Sequence, residues 1–401
     1  MNRDLGRLQA YPFEKLNQLK AGVQPPANKS AILLSMGEPK HASPAFVLEA
    51  LQNALGEVAH YPATLGLPVL RQVMAAWLEK RFSLPSGSIN PDKQILPVNG
   101  SREALFSFTQ ALIDRDAVTQ GKKTLAILPN PFYQIYEGAV FLAGAMPYYM
   151  ESQGIEPDFD AVDDATWAQC QLLFLCTPNN PTGSLLSLET LKKLILLAEK
   201  HDFVIASDEC YSEIYFDEQR PPAGLLQACA VLGNDSYSRC VVFHSLSKRS
   251  NLPGLRSGFV AGDATLMEKF LLYRTYHGCA MPLYHQKASL VAWQDEAHVV
   301  ANRQLYREKF EQFQRICGEV LPLQQPEGGF YFWAKTPIDD IAFAQRLYAE
   351  ENVTVLPGQY LSRFNRGRNP GQNYVRLALV ASAEECAEAA RRIRQCVERL
   401  P

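Results

Sequence analysis

The chain predicts an α/β fold, with a larger domain built on a mostly parallel sheet between two layers of helices and a smaller α+β domain after it. Three observations predict it. Short apolar, β-branched runs alternate with amphipathic helical stretches from about residue 95 to 262. Each run ends in a turn rich in Asn, Gly, Ser or Asp, where open α/β sheets hand over to a helix and place their ligands. After Gly262 the alternation gives way to long helical periodicities with a few strands between them.

The first forty residues, with Pro25 and Pro26, read as an irregular arm that enters the larger domain through AILLSM and Gly37-Glu38-Pro39. Gly37 allows a close approach of backbone to a ligand, or simply makes a turn before the proline. Tyr61 precedes Pro62 in an extended segment, where its phenol either projects outward or packs in the core. A helix follows from Val69, with Val73, Ala76 and Trp77 at helical spacing. The next unit is strand, tight turn, helix: ILPV from Ile95, then Asn99-Gly100-Ser101, then a helix with Ala104, Leu105, Phe108 and Leu112 on one face. Such a turn either makes an anion site at the helix N-terminus or uses Ser101 only as a cap.

TLAILP is another buried strand, and in the following NPFYQIYEG either Phe132 or Tyr133 is placed to stack on a flat ring or to pack in the core. LLFLCTPNNPTG runs into a turn that holds Asn180, whose amide can donate to a ligand oxygen. Ser187 caps a helix with Leu191, Leu194, Ile195 and Ala198 on one face, and FVIAS leads to Asp208 at the next strand end, with Tyr211 just beyond. A carboxylate there either stays wet or meets a proton-bearing partner.

CVVFHSL leads into SLSKRSNLPGLRSG, Ser245 to Gly258. It sets Lys248 among small hydroxyl residues at the end of a strand, with Arg256 in the same loop. A lysine deprotonated by burial can form a Schiff base with a carbonyl, while an arginine stays charged and grips a phosphate or carboxylate through two parallel hydrogen bonds. Lysine plus phosphate anchor is the pair that pyridoxal 5'-phosphate needs. Asp208 adds the group that keeps a pyridine nitrogen protonated, and only a protonated ring withdraws electrons from a carbanion.

Composition narrows the alternatives. A net charge of −3 leaves no electrostatic footprint for nucleic acid or anionic membrane, so the expected partners are small molecules. The N-terminus carries no apolar core of signal-peptide length and no later run reaches a membrane span, which makes a cytoplasmic protein the expectation. Nine cysteines without a CxxC, and seven histidines without an HExxH pair, offer neither a disulfide framework nor a zinc motif, so no metal is expected. Ser245-Leu-Ser-Lys248 also matches the Ser-x-x-Lys of penicillin-binding acylases, but the Ser-Asp-Asn and Lys-Thr-Gly that accompany it are missing.

Taken in order and spacing, Gly37, Tyr61, Gly100-Ser101, Tyr133, the Asn180-Pro-Thr-Gly turn, Asp208, Tyr211, Ser245, Lys248, Arg256 and Arg376 resemble the class I/II aminotransferases, from about Leu33 to Ala378. Ser257 departs from the apolar residue usual after the arginine. The resemblance implies a fold-type I aminotransferase with a seven-stranded sheet in a large domain over residues 39–285, and an N-terminal arm and small domain over 1–38 and 286–401. It implies Lys248, Asp208 and Tyr211 as catalytic groups. Pyridoxal phosphate would be held by Ser101, Arg102 through its backbone, Tyr133, Asn180, Asp208, Tyr211, Ser245, Lys248 and Arg256, with Tyr61 from a second subunit of a homodimer. Gly37, Asn180 and Arg376 would bind substrate, Arg376 at the α-carboxylate. Within the family, YPFEKL, PFYQIYEG, SKRSNLPGLRSGFVAGD and YRTYHGCAMP are similar to the N-succinyldiaminopimelate aminotransferases of bacterial lysine biosynthesis; an aspartate or aromatic aminotransferase, or a lyase on the same scaffold, is the neighbouring alternative. Such a substrate needs a second cationic or hydrogen-bonding group for its distal carboxylate; the resemblance implies a loop from the neighbouring subunit at Tyr273 to Pro282, where Arg274, Tyr276 and His277 are candidates alongside a plain interface role.

Overall fold

Seven strands make the central sheet: β1 Ile95–Val98, β2 Leu125–Leu128, β3 Met146–Tyr149, β4 Cys170–Cys176, β5 Val204–Asp208, β6 Cys240–Ser245 and β7 Gly258–Gly262. The structure is a computed structural model that describes residues 1–400. Across the sheet the order is β1-β7-β6-β5-β4-β2-β3, and every neighbouring pair is parallel except those made by β7, which runs antiparallel to β1 and β6. β4 is buried at every position, the reason it reads as an unbroken apolar run.

Alternate residues along each strand feed two different cores. Ile127, Leu173, Ile205 and Val242 face the helices Pro68–Arg81, Leu188–His201, Leu225–Leu232 and Leu283–Gln294. Leu128, Phe174, Ala206 and Phe243 face Ser101–Leu112, Ile135–Ala143 and Ala264–His277. The Ser187 cap forms as expected, with the Thr190 N–H donating to its hydroxyl at 3.0 Å, and Leu191, Leu194, Ile195 and Ala198 are buried.

A second core gathers Tyr306, Phe310 and Phe313 of the helix Ala297–Cys317 and Ala389, Ala390 and Ile393 of the helix Ala383–Glu398. With these helices, which pack directly on each other, goes a small antiparallel sheet of β8 Tyr331–Lys335, β9 Leu356–Pro357 and β10 Tyr374–Ala378. Ile32–Leu33 joins this body by pairing in parallel with Val353–Thr354. The expected division at residue 285/286 falls inside the helix Leu283–Gln294, whose Ala288, Ala292 and Trp293 pack into the large-sheet core.

Three local expectations are corrected. The arm is not wholly irregular: Pro12–Lys20 is a helix, begun by a proline at its first position and anchored by Leu16 against Trp333, Leu356 and Leu361. In Pro68–Arg81 the buried face is Leu70, Met74, Trp77 and Leu78, while Ala76 is exposed and Val73 half-buried. Lys248 sits not in the strand-end loop itself but in a one-turn helix, Leu246–Arg249, capped by Ser245.

Glu209, fully buried beside β5, gives the fold a pH dependence. Burial raises its carboxyl to about 7, against hydrogen bonds from the Leu225 N–H (2.9 Å) and the Ser207 hydroxyl (2.9 Å) and the charge of Arg81. His244 Nε2 lies 3.4 Å away, but burial holds the imidazole down to about 3, so between those two values both groups are neutral and no ion pair forms. As pH rises from about 4.5 to about 7 the unfolded chain's Glu209 ionises while the buried one resists, and stability is lost. Glu209→Gln keeps both acceptor contacts without that loss. Thermal unfolding at pH 5 and pH 8 is expected to show the variant gaining on the wild type by on the order of 3 kcal/mol at the higher pH. An equal difference at both pH values contradicts this.

Candidate active site

The carboxyl ends of β1, β4, β5 and β6 open toward the second core, and a cavity of about 600 Å³ lies between. The catalytic, cofactor and α-carboxylate residues implied by the resemblance, from Gly37 to Arg376, all line it except Tyr61, and the distal-carboxylate candidates Arg274, Tyr276 and His277 do not. Tyr61 is fully exposed on this chain, so neither core packing nor the cavity holds it.

One end of the cavity is an anion cradle. Helix Ser101–Leu112 starts at Gly100, which lies at φ +87 and has no side chain to cap the free N–H groups, so these and the helix dipole point outward. A side chain at Gly100 would collide with the Arg256 guanidinium packed over it. Arg256 is itself held by the Pro253 carbonyl at 2.9 Å and the Asn99 carbonyl at 3.3 Å. The Ser245 hydroxyl accepts from the Ser247 N–H at 3.1 Å and donates to the Ser257 carbonyl at 3.3 Å.

At the other side Asp208, the last residue of β5, is buried with its pKa raised by desolvation. Two donors oppose that shift, the Tyr136 hydroxyl at 2.8 Å and the Cys210 N–H at 3.3 Å. Tyr136 is fixed by stacking on Phe174, with ring centroids 4.7 Å apart. A carboxylate held this way is stabilised by a partner that brings a proton or positive charge.

Lys248 donates to the Gly37 carbonyl at 2.6 Å. Burial lowers its ammonium to about 8, with the charges of Arg376 and Arg102 acting the same way and Cys210 and Glu38 opposing. At pH 7 about one Lys248 in ten is therefore a neutral amine, against fewer than about one in a thousand for an exposed lysine. Arg376, on β10, donates to Asn180 Oδ1 at 2.9 Å and to the Ser35 carbonyl at 2.7 Å, and its guanidinium lies 4.4 Å from the centre of the Tyr331 ring. Its buried Nε has no partner among the described residues. Tyr211 shares a hydrogen bond with the Tyr331 hydroxyl at 2.7 Å.

The donor set fits a flat phosphorylated pyridine aldehyde. An anion cradle, a buried carboxylate short of a positive partner and a lysine with a lowered pKa surround one space, beside an arginine with an unused N–H. Arg274 does not belong to it. Its fully buried guanidinium pairs with Glu103 and donates to the Cys279 carbonyl at 2.9 Å, because a desolvated cation needs its counter-charge at hand. Tyr276 is exposed, and His277 borders a neighbouring open groove. Sequence reasoning missed Tyr11, Cys210 and Tyr331, which line the cavity, and Tyr136 behind it. Tyr136 had a signal in its place on the sheet-facing side of the helix after Tyr133; Tyr331 had none beyond a strand-like run.

The comparisons agree with this geometry. An LL-diaminopimelate aminotransferase of Maridesulfovibrio salexigens is 29% identical over 398 residues, covering 97% of each chain. A crystal structure of an aminotransferase from Neisseria meningitidis is 47% identical, with a TM-score of 0.93 and 98% of this chain and 99% of that chain covered. The aminotransferase AspB from Helicobacter pylori is 35% identical with a TM-score of 0.88, covering 98% of this chain and 100% of that chain. Residues 29–393 match the aminotransferase class I and II family, and the chain belongs to that family of pyridoxal-phosphate-dependent aminotransferases of fold type I.

Proposed function

We propose that this aminotransferase moves the amino group of N-succinyl-LL-2,6-diaminopimelate to 2-oxoglutarate, giving N-succinyl-2-amino-6-oxopimelate and glutamate, in cytoplasmic lysine biosynthesis and as a homodimer with shared active sites. The observation that carries the reading is Arg376, held by Asn180 and Ser35 in the wall of the cavity that holds Lys248, since a retained α-carboxylate distinguishes transamination from decarboxylation. The substrate follows from the loop phrases quoted above and from relatives named for the diaminopimelate skeleton. Those relatives are LL-diaminopimelate aminotransferases, so the unsuccinylated amino acid is the second reading.

Bound pyridoxal phosphate supplies a protonated ring that draws electrons from the substrate's α-carbon. Ser101, the Arg102 backbone N–H, Ser245 and Arg256 hold the phosphate, with Tyr61 supplied by a second copy of the chain. Asp208 keeps the ring nitrogen protonated, and Tyr136 fixes the carboxylate by hydrogen-bonding its other oxygen. Tyr133 would pack on the ring, and Asn180 and Tyr211 would bind its hydroxyl oxygen. Lys248 would hold the cofactor through its amine, and the same amine, when neutral, would accept the proton of the substrate's α-carbon. Its low pKa leaves it neutral often enough to accept that proton. Arg376, with Gly37 and Asn180 beside it, orients the α-carboxylate.

Half-reactions followed through the cofactor's absorbance would compare succinyl-diaminopimelate, free diaminopimelate, aspartate, alanine and phenylalanine at equal concentration. The succinylated substrate is expected to react at least ~10-fold faster than free diaminopimelate, because loss of its extra carboxylate leaves polar groups of the site unpaired. Faster reaction of free diaminopimelate selects the second reading. Faster aspartate or phenylalanine overturns both and makes the protein a general aspartate or aromatic aminotransferase.

A further inference from the structure

We infer that Glu103, His277 and Cys279 form a binding site for a zinc-class transition-metal ion, outside the cavity of Lys248. A carboxylate oxygen, an imidazole nitrogen and the thiol sulfur of these three lie within 4.8 Å of one another. The site is built from one chain, and it stands whichever amino acid the enzyme takes. A search for CxxC and HExxH spacings passes over it, because Glu103 belongs to helix Ser101–Leu112 while His277 ends helix Ala264–His277 and Cys279 follows it.

Each ligand is steadied by a neighbour, as metal ligands generally are. Gly278, at φ +76, stops the helix and turns the chain, which brings Cys279 back beside His277. The Cys279 carbonyl accepts from the Asn99 amide at 2.8 Å and from Arg274 Nη2 at 2.9 Å, so the thiol starts from a fixed backbone. The His277 ring stacks on Tyr273, with centroids 5.8 Å apart. Glu103 uses one oxygen, Oε1, to accept from the buried Arg274 and from the Ser107 hydroxyl at 3.2 Å. Its other oxygen, Oε2, is buried and has no hydrogen-bond partner among the described residues. A buried carboxylate oxygen left bare is costly, and a metal ion beside His277 and Cys279 would meet it.

The ligand types choose the metal. Thiolate with imidazole selects zinc and its neighbours, whereas magnesium and calcium take oxygen ligands and depend on the negative charge of their site. That charge is small here, since Arg274 already balances Glu103. The thiolate supplies the remaining anion: a divalent ion enters, the Cys279 sulfur bonds to it, and the thiol proton leaves to solvent. Glu103 and His277 also border an open groove of about 620 Å³, which leaves the fourth coordination position to water or to a small ligand from the groove. Arg102 and Arg256 line both this groove and the cavity of Lys248, so the ion would lie one wall away from the active site.

The test uses the holoenzyme, kept reduced and freed of metal by dialysis. Titration calorimetry with zinc chloride is expected to show one ion per chain. Cobalt(II) chloride should give the visible bands of a tetrahedral, thiolate-bound ion at wavelengths beyond the cofactor's own absorbance. Cys279→Ser and His277→Ala are each expected to weaken zinc binding at least ~100-fold, more than loss of an orienting partner costs, and to abolish the cobalt bands. His277 is exposed, so its variant serves if Cys279→Ser fails to fold. Magnesium at the same concentration should leave the zinc isotherm unchanged. Absence of stoichiometric zinc binding by the wild type overturns the inference. So does binding that either folded variant retains, which would put the ion on another thiol, such as Cys210 of the cavity. Displacement of zinc by magnesium overturns the choice of metal.

Discussion

Lys248→Ala is expected to abolish transamination, with a loss of at least ~10⁴-fold, and to remove the absorbance band of the lysine-bound cofactor from the purified protein. The size of the effect follows from two roles on one atom. In the proposed mechanism Lys248 Nζ both holds the cofactor and moves the substrate's proton. No other group in the cavity combines its placement with a pKa near 8: the Cys210 thiol is pushed well up by burial, and the Tyr211 phenol likewise. Absorbance spectra and single-turnover reactions with an amino donor, on protein shown to be folded by circular dichroism, check the prediction. Cycling of amino groups by the variant at the wild-type rate contradicts the assignment.

Asp208→Ala ranks second. The variant should retain cofactor through the anion cradle, since Gly100, Ser101, Ser245 and Arg256 are untouched, yet release the α-hydrogen ~10² to 10³-fold more slowly. The loss has an electrostatic cause: with Asp208 gone, no carboxylate is left to hold the ring nitrogen's proton, and the neutral Tyr136 hydroxyl that Asp208 accepts from does not replace that charge. Exchange of the substrate α-hydrogen for deuterium separates this step from binding, and dialysis reports retention of the cofactor. Near-normal exchange in a folded variant would remove Asp208 from the mechanism.

The legible part of this protein lies where chemistry is local. β4, β5 and β6 announced themselves because a strand covered on both faces must be largely apolar; Asp208 ends β5, and Asn180 and Lys248 stand just beyond β4 and β6. The anion cradle was legible for the same reason, since Gly100 and Ser101 are neighbours and a helix N-terminus needs only its own backbone. β7 escaped notice, its Gly258–Gly262 run being short and glycine-bounded, with its antiparallel direction set by the neighbours β1 and β6. The helix Pro12–Lys20 escaped because its anchoring partners for Leu16 lie on the far side of the chain's sequence.

By itself the sequence determined the α/β class, the lysine, the aspartate and the arginines, and hence the kind of cofactor and reaction. Only the tertiary structure decided which groups meet. It joined Tyr211 to Tyr331, 120 residues away, and Tyr136 to Asp208, 72 residues away. It also buried Arg274 against Glu103 while leaving Arg102 facing the cavity. In the sequence Arg102 counted only through its backbone, Arg274 as a candidate for the distal carboxylate and Arg376 for the α-carboxylate. What separates them is desolvation: a guanidinium drawn into the interior must be met by a carboxylate or by carbonyls, as Arg274 and Arg376 are, and one at a cavity wall is under no such demand.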